Sequence, residues 1–192
     1  MKINTILLSV AVAATIFAGC AKTPVPNTQT KTDPNTGAQT PAKTDTTTTA
    51  SIVNDTAAFE KAISKTWTWI IAILADMKLD KPLVLEGDFK NGKKDDKGND
   101  VVQRKLALYS QDANKNITAR YTLTAPSLTI RSPKASIQHG TFKGDVYVET
   151  NDFQLIDAKV DGNVYFATDA AKAGFKADEK SSITGKQEIK KQ

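Results

Sequence analysis

Apolar positions fall into three regimes along this chain of 192 residues. From Ile3 to Phe17 most positions are apolar (Ile6, Leu7, Leu8, Val10, Ala11, Val12, Ala13, Ala14 and Ile16 among them). Residues 21–51 hold almost no large aliphatic side chain and no aromatic one, and residues 52–192 return to short apolar stretches broken by Gly, Asn and Asp. The first run is shorter than the ~20 residues needed to cross the hydrocarbon core. With Lys2 before it and the small Ala18 and Gly19 after it, it reads as an export signal rather than a permanent span. The second regime carries eleven Thr and four Pro. Such a segment has too little apolar surface to offset the entropy of ordering and reads as a spacer of roughly 30 Å. The expected organisation is a signal over 1–19, an anchor and tether over 20–51, and one folded domain over 52–192.

The domain opens with a predicted helix, with Asn54 or Asp55 as N-cap and Phe59 and Ile63 on one face. Phe59, Ile63, Trp67, Ile70, Leu74 and Met77 keep helical spacing, so one long amphipathic helix fits. The β-branched and aromatic run Thr66-Trp67-Thr68-Trp69-Ile70-Ile71 favours a short helix to about Lys65 and then a strand through Leu74. The tryptophan pair is expected in the core. Beyond it the pattern is β throughout. Val102–Tyr109 and Ile117–Leu123 flank Gln111-Asp112-Ala113-Asn114-Lys115-Asn116 as a hairpin. Asn91-Gly92 and Lys97-Gly98-Asn99 mark a polar loop holding Asp95, Asp96 and Asp100.

A repeat follows. Gly144-Asp145-Val146-Tyr147-Val148 recurs as Gly162-Asn163-Val164-Tyr165-Phe166. Ala135-Ser136-Ile137, Ala158-Lys159-Val160 and Ser182-Ile183 read as a second recurring element. Short strands at this spacing are expected of a solenoid, in which neighbouring turns bury one continuous column. Alternation puts Val146, Val148, Val164 and Phe166 inward and Tyr147 and Tyr165 outward, about 4.8 Å apart if the turns stack in register.

Charge and cysteine usage narrow the setting. The formal net charge is +5, or +4 without Lys2, with Lys and Asp interspersed. This is not the dense basic stripe of a nucleic-acid binder. Cys20 is the only cysteine, which excludes an internal disulfide. The stretch Ile16-Phe17-Ala18-Gly19-Cys20 resembles a bacterial lipobox, with Phe17 where that pattern prefers Leu. The resemblance implies cleavage before Cys20, acylation of its sulfur, and anchoring to the cell membrane facing the cell wall or periplasm. More than one acyl chain gives a stable anchor, at ~0.8 kcal/mol per buried CH₂.

The Gly-Asp-Val-Tyr-Val and Gly-Asn-Val-Tyr-Phe units resemble the coils of bactofilins, and the body is similar to small right-handed β-helix lipoproteins of clostridia. The implied fold is mainly β: a short right-handed parallel β-helix with an N-terminal capping helix and a hairpin insertion. Bactofilins polymerise through bare coil ends. Here the helix and the polar Lys186–Gln192 tail read as caps, so self-association is left open.

No specific catalytic constellation is evident, and a non-catalytic structural or interaction role without cofactor or metal is expected. The lone His139 lies in a turn-like spot without a nucleophile motif. Asp112, Asn114 and Asn116 fit the first ligand positions of a calcium loop, but Ile117 and Leu123 stand where Gly and Glu are required. The β-helix resemblance also points to polysaccharide-active enzymes. Asp145, Asp157 and Asp161 with Arg120 and Arg131 would then be the candidates. As a cell-wall glycan-binding module, the chain would use Tyr147 and Tyr165 with Lys143 and Lys159. Expected partners are the membrane, through the lipid, and envelope proteins or glycan.

Overall fold

The alternation in residues 52–192 gives each strand one apolar face, and two sheets can bury those faces against each other. The structure, a computed structural model, describes residues 50–190, with side chains from Ile52 onward. The signal, Cys20 and the tether up to Thr49 lie outside the described residues. The fold is mainly β and is dominated by two parallel sheets. The first sheet runs, in spatial order, through Ala50–Val53, Ile70–Ile73, Arg104–Ala107, Ala135–Gln138, Gln154–Ile156 and Lys176–Ala177. The second begins with Met77–Lys78 and Leu83–Leu85, which both pair with Thr122–Ile130. It continues through Thr141–Val148 to Lys159–Asp161 and Val164–Phe166. It ends at Ser182–Ile183 and Gln187–Ile189. From Ile70 onward the chain visits the two sheets alternately.

Register is set by files of inward side chains. Leu85, Ile130, Val148 and Phe166 stand opposite one another in successive strands, as do Leu83, Leu128, Val146 and Val164. The first sheet answers with Ile71, Leu106, Ile137 and Leu155. All belong to one hydrophobic core between the sheets. A shift of one residue would turn a whole file outward, so the apolar pattern holds the register.

The helix Thr56–Ala62 is capped by Asp55, whose Oδ1 accepts the Ala58 N–H at 2.8 Å. Phe59 and Ala62 bury one face of it. The strand Ile70–Ile73 follows, so the two-element reading holds over the single long helix. A strand, Ala50–Val53, precedes the helix and pairs with Ile70–Ile73, so the helix is not the first element. A hairpin forms where one was expected, but with shorter arms, Tyr109–Gln111 and Ile117–Arg120, while Arg104–Ala107 of the expected first arm joins the first sheet and Thr122–Leu123 of the second arm joins the second sheet. The polar loop around Asp95 is also a hairpin, Lys90–Lys94 with Asp100–Val102. The outer face of the first sheet carries a small second core of Ile70, Ala72, Ala107 and Tyr109, with Trp69 and Ile117 against it.

Three expectations need correction. Ala135–Gln138 is not equivalent to Lys159–Asp161: it pairs with Gln154–Ile156 in the first sheet, while Thr141–Lys143 faces Lys159–Asp161 in the second. Trp67 is not core but 46% exposed, because it lies between the helix and the strand, where alternation no longer decides facing. A second helix, Asp169–Gly174, capped by Thr168, occupies a stretch read as β.

Arg104 holds the entry to the sheets. It is fully buried, and its guanidinium donates to the carbonyls of Ala62 (2.6 Å), Ser64 (2.9 Å) and Thr68. Its carbon centre lies 3.9 Å from the Phe89 ring centroid. Burial lowers its pKa to about 10, so it remains charged at neutral pH.

Candidate functional site

The tyrosine face is built by alternation. Thr129, Tyr147, Tyr165 and Glu188 form one outward file on the second sheet. The Tyr147 and Tyr165 ring centroids are 5.1 Å apart at 32°, close to the expected strand spacing. Both rings are half-buried. Lys190 Nζ stands 4.8 Å from the Tyr165 centroid and 5.7 Å from that of Tyr147, a cation over the stack. Lys143 and Lys159 are exposed on the same sheet. Lys143 is in register with Asp161, and Lys159 Nζ lies 3.9 Å from Asp161 Oδ1. The four residues expected to form a ligand surface thus lie on the second sheet but in two pairs, Lys143 and Lys159 before Gly144 and Gly162 with Asp161 beside them, and Tyr147 and Tyr165 after those glycines with Lys190 beside them.

Beside the tyrosines the strands bend at Gly144, Gly162 and Gly185. Asp145 Oδ1 accepts both the backbone and the side-chain N–H of Asn163 at 2.9 Å, and Asn163 Oδ1 accepts the Lys186 N–H at 2.9 Å. Asp145 is therefore committed to the turn ladder. Asp161 accepts from Thr184 Oγ1 at 3.1 Å, and Arg131 pairs with Glu149 at 2.8 Å.

Of the acid and base candidates, Arg120 and Asp157 do meet, and His139 joins them. Arg120 Nη2 lies 2.5 Å from Asp157 Oδ2, and its Nη1 donates to the Asp157 carbonyl at 3.1 Å. His139 Nδ1 is 3.1 Å from the same Oδ2. His139 and Asp157 occupy equivalent corners between the two sheets, both with left-handed backbone (φ 57° and 48°). The small Gly140 and Ala158 follow them. Tyr109 meets the imidazole edge-on at 4.6 Å. Asp178 takes the Asp157 N–H at 2.9 and 3.0 Å, and Ser181 Oγ donates to Asp178 at 2.6 Å. An open hollow of about 330 Å³ adjoins, lined by His139, Asp157, Asp178, Glu179 and Lys180. The arrangement resembles half of a hydrolase triad, but Arg120 neutralises the carboxylate that would orient the imidazole, and no nucleophile contacts the ring among the described residues. Its chemistry suits a latch that pins the hairpin ending at Arg120 to the corner at Asp157.

The Arg120 hydrogen bond, then that of His139, holds the Asp157 carboxyl below its usual value of 3.8. A carboxyl whose folded pKa is depressed contributes stability that is complete above its unfolded value and is lost as pH falls through the folded one. Asp157→Asn should flatten the acid limb of the stability–pH curve below about pH 4 while leaving its upper part parallel to wild type. Thermal melts between pH 6 and 2.5 check this. An acid limb identical to wild type would exclude the latch as an acid-sensitive contact.

The calcium-like spacing forms a hairpin turn. Asp112 Oδ1 accepts the N–H groups of Asn114 and Asn116 at 2.9 Å, and Oδ2 accepts Asn116 Nδ2 at 2.9 Å. Asp95 makes the same set with Lys97 and Asn99, at 2.9, 2.8 and 3.1 Å. Each loop is an Asp, three residues and an Asn, with the residue before the Asn left-handed (Gly98, Lys115). That shared spacing is the sequence signal for the second hairpin. Among the described residues no group of three or more His, Cys, Asp or Glu is placed to hold a metal ion. No helix of the described residues is long and apolar enough to cross a membrane. Comparison of the chain with protein-family models, with curated proteins and with solved structures finds no match among them.

Proposed function

We propose that the chain is an exported lipoprotein, anchored to the cell membrane through acylated Cys20, whose body is a short right-handed parallel β-helix with a non-catalytic scaffold or interaction role in the envelope. Support for the winding comes from the alternation between sheets at constant interval: Val146 faces Val164 and Thr141 faces Lys159, each 18 residues on. Longer intervals coincide with the two hairpins and the second helix. Parallel crossovers of this kind are right-handed in about 98% of cases. The observation that carries the role is the pairing of the outer charges. Arg120 with Asp157, Arg131 with Glu149 and Lys81 with Glu60 bond one another instead of converging on one reaction centre. A flexible tether and a body of this kind would keep a surface near the membrane, at an average reach of roughly 30 Å.

Cys20→Ser should move the protein from the membrane fraction to the soluble fraction and abolish labelling by a fatty-acid analogue. A substituted chain that stays in the membrane fraction, with the original chain unlabelled, would refute the anchor. A second reading, cell-wall glycan binding, is favoured by the Tyr147–Tyr165 stack on an outer face.

A further inference from the structure

We propose that Trp67 and the groove beside it form a carbohydrate site that receives the flat apolar face of a pyranose ring in a polysaccharide chain. The proposal rests on the glycan-binding reading but on a different surface. Trp67 follows the first helix, whereas the tyrosines lie on the second sheet.

The indole is the most exposed large hydrophobic side chain of the described residues, at 46%. Trp69, two residues on, packs against the second core. Nothing of that kind covers Trp67, and no ring or cation stacks on it among the described residues. A tryptophan left in water costs hydrophobic free energy that burial would recover, so its position is informative when polar groups converge beside it. They do. The groove has a volume of about 500 Å³ and is lined by Ala57, Glu60, Lys61, Ser64, Thr66 and Trp67. One wall is therefore aromatic, and the others offer two hydroxyls, a carboxylate and an ammonium.

The lining selects the ligand class. A helical or strand peptide docking through apolar side chains would find only Trp67 and Ala57 to bury against. An anion would meet Lys61 but also Glu60. Glu60 is already paired with Lys81 at 2.8 Å, while Lys61 has no ion-pair partner among the described residues. With Glu60 held by Lys81, the groove keeps one ammonium without an ion-pair partner among the described residues beside two hydroxyls, which suits a polyol whose hydroxyls accept from Lys61. A pyranose ring has an apolar C–H face that stacks on an indole and a rim of hydroxyls that exchange hydrogen bonds with side chains. Ser64 Oγ lies 3.1 Å from Thr66 Oγ1 and donates to the Lys61 carbonyl at 2.7 Å. The two hydroxyls are thus held in place rather than free to rotate. An aromatic platform with a few fixed polar groups is how such sites gain orientation.

The test uses the full-length chain in mild detergent and two probes, insoluble chitin and purified peptidoglycan sacculi. They share β-linked N-acetylhexosamine and differ in the peptide stems of the sacculi. The wild-type chain should cosediment with both. Trp67→Ala should weaken both interactions about tenfold, the scale of one lost stacked aromatic contact, with an unchanged unfolding midpoint. The double substitution Tyr147→Ala, Tyr165→Ala tests the other candidate surface separately and should leave the Trp67-dependent share of binding in place. Binding to sacculi alone would mean that the peptide is recognised and would overturn the proposal. So would wild-type binding by Trp67→Ala. If only the tyrosine substitutions weaken binding, glycan recognition survives at the ladder and the Trp67 site fails. If the wild-type chain binds neither polymer, both fail.

Discussion

Arg104→Met should lower the stability of the folded body by about 3 kcal/mol or more, the largest loss expected from any single polar substitution. The side chain is fully buried, yet it pairs with no carboxylate among the described residues. Its acceptors are the carbonyls of Ala62, Ser64 and Thr68, at the end of the first helix and along the segment leading into Ile70–Ile73. These groups have left the helix ladder and have not entered the sheet. Methionine fills much of the volume and still faces Phe89, but it returns no hydrogen bond. Each carbonyl left unsatisfied costs about 1–3 kcal/mol, and some relief comes from water reaching the half-exposed Ser64 and Thr68 segment. Arg104→Lys should recover little, since one ammonium cannot span three carbonyls as the planar fork does. Urea unfolding should show a lower midpoint with an unchanged slope. A variant as stable as wild type would mean that the three carbonyls find other partners.

Gly162→Ala should cost about 3 kcal/mol, comparable to severe overpacking of a core. A Cβ on Gly162 would run into the carbonyl oxygen of Gly144, far inside van der Waals contact. A Cβ on Gly144 would meet the Ala125 carbonyl in the same way, and its φ of +140° adds strain. The glycines therefore let successive strands approach at the bend between their two halves. Gly98 provides the contrast. It has φ +81°, but an added Cβ meets nothing within 4 Å. Gly98→Ala should cost only about 1 kcal/mol, through backbone strain alone. Equal losses for the two substitutions would show that strain, not close approach, fixes the Gly162 position.

The inward and outward files were legible because a two-residue period is a local signal. Val146, Tyr147 and Val148 announce their facing, and Val164, Tyr165 and Phe166 repeat it. The assignment of Ala135–Gln138 was not legible. A three-residue apolar–polar–apolar stretch fits either sheet, and only the pairing of its neighbours decides. Arg104 was invisible for a different reason. In Val-Val-Gln-Arg-Lys-Leu a charged residue reads as outward, while its acceptors come from a segment some 40 residues earlier. Trp67 and Trp69 are two apart and look like one strand face, but the strand starts at Ile70. The meeting of His139, Asp157 and Arg120 depends on corners that stack at an interval of 18 residues and on a hairpin that folds back 37 residues away. His and Asp are enriched in left-handed backbone, but that enrichment alone does not place His139 and Asp157 at stacked corners. The second helix did leave one, a Thr168 cap followed by Asp169, Ala170 and Ala171, overshadowed by the repeat around it.

The constant spacing between Gly144 and Gly162 makes the body adjustable in length. Excising residues 145–162 would join Gly144 to Asn163, bring Val164 opposite Leu128, and carry away one strand from each sheet with both alternations intact. The remaining molecule would be shorter by one strand spacing, about 4.8 Å, and would present the same two ends. The length of the two sheets is in this sense a quantised property, and duplication or loss of one such segment changes it without redesigning either end.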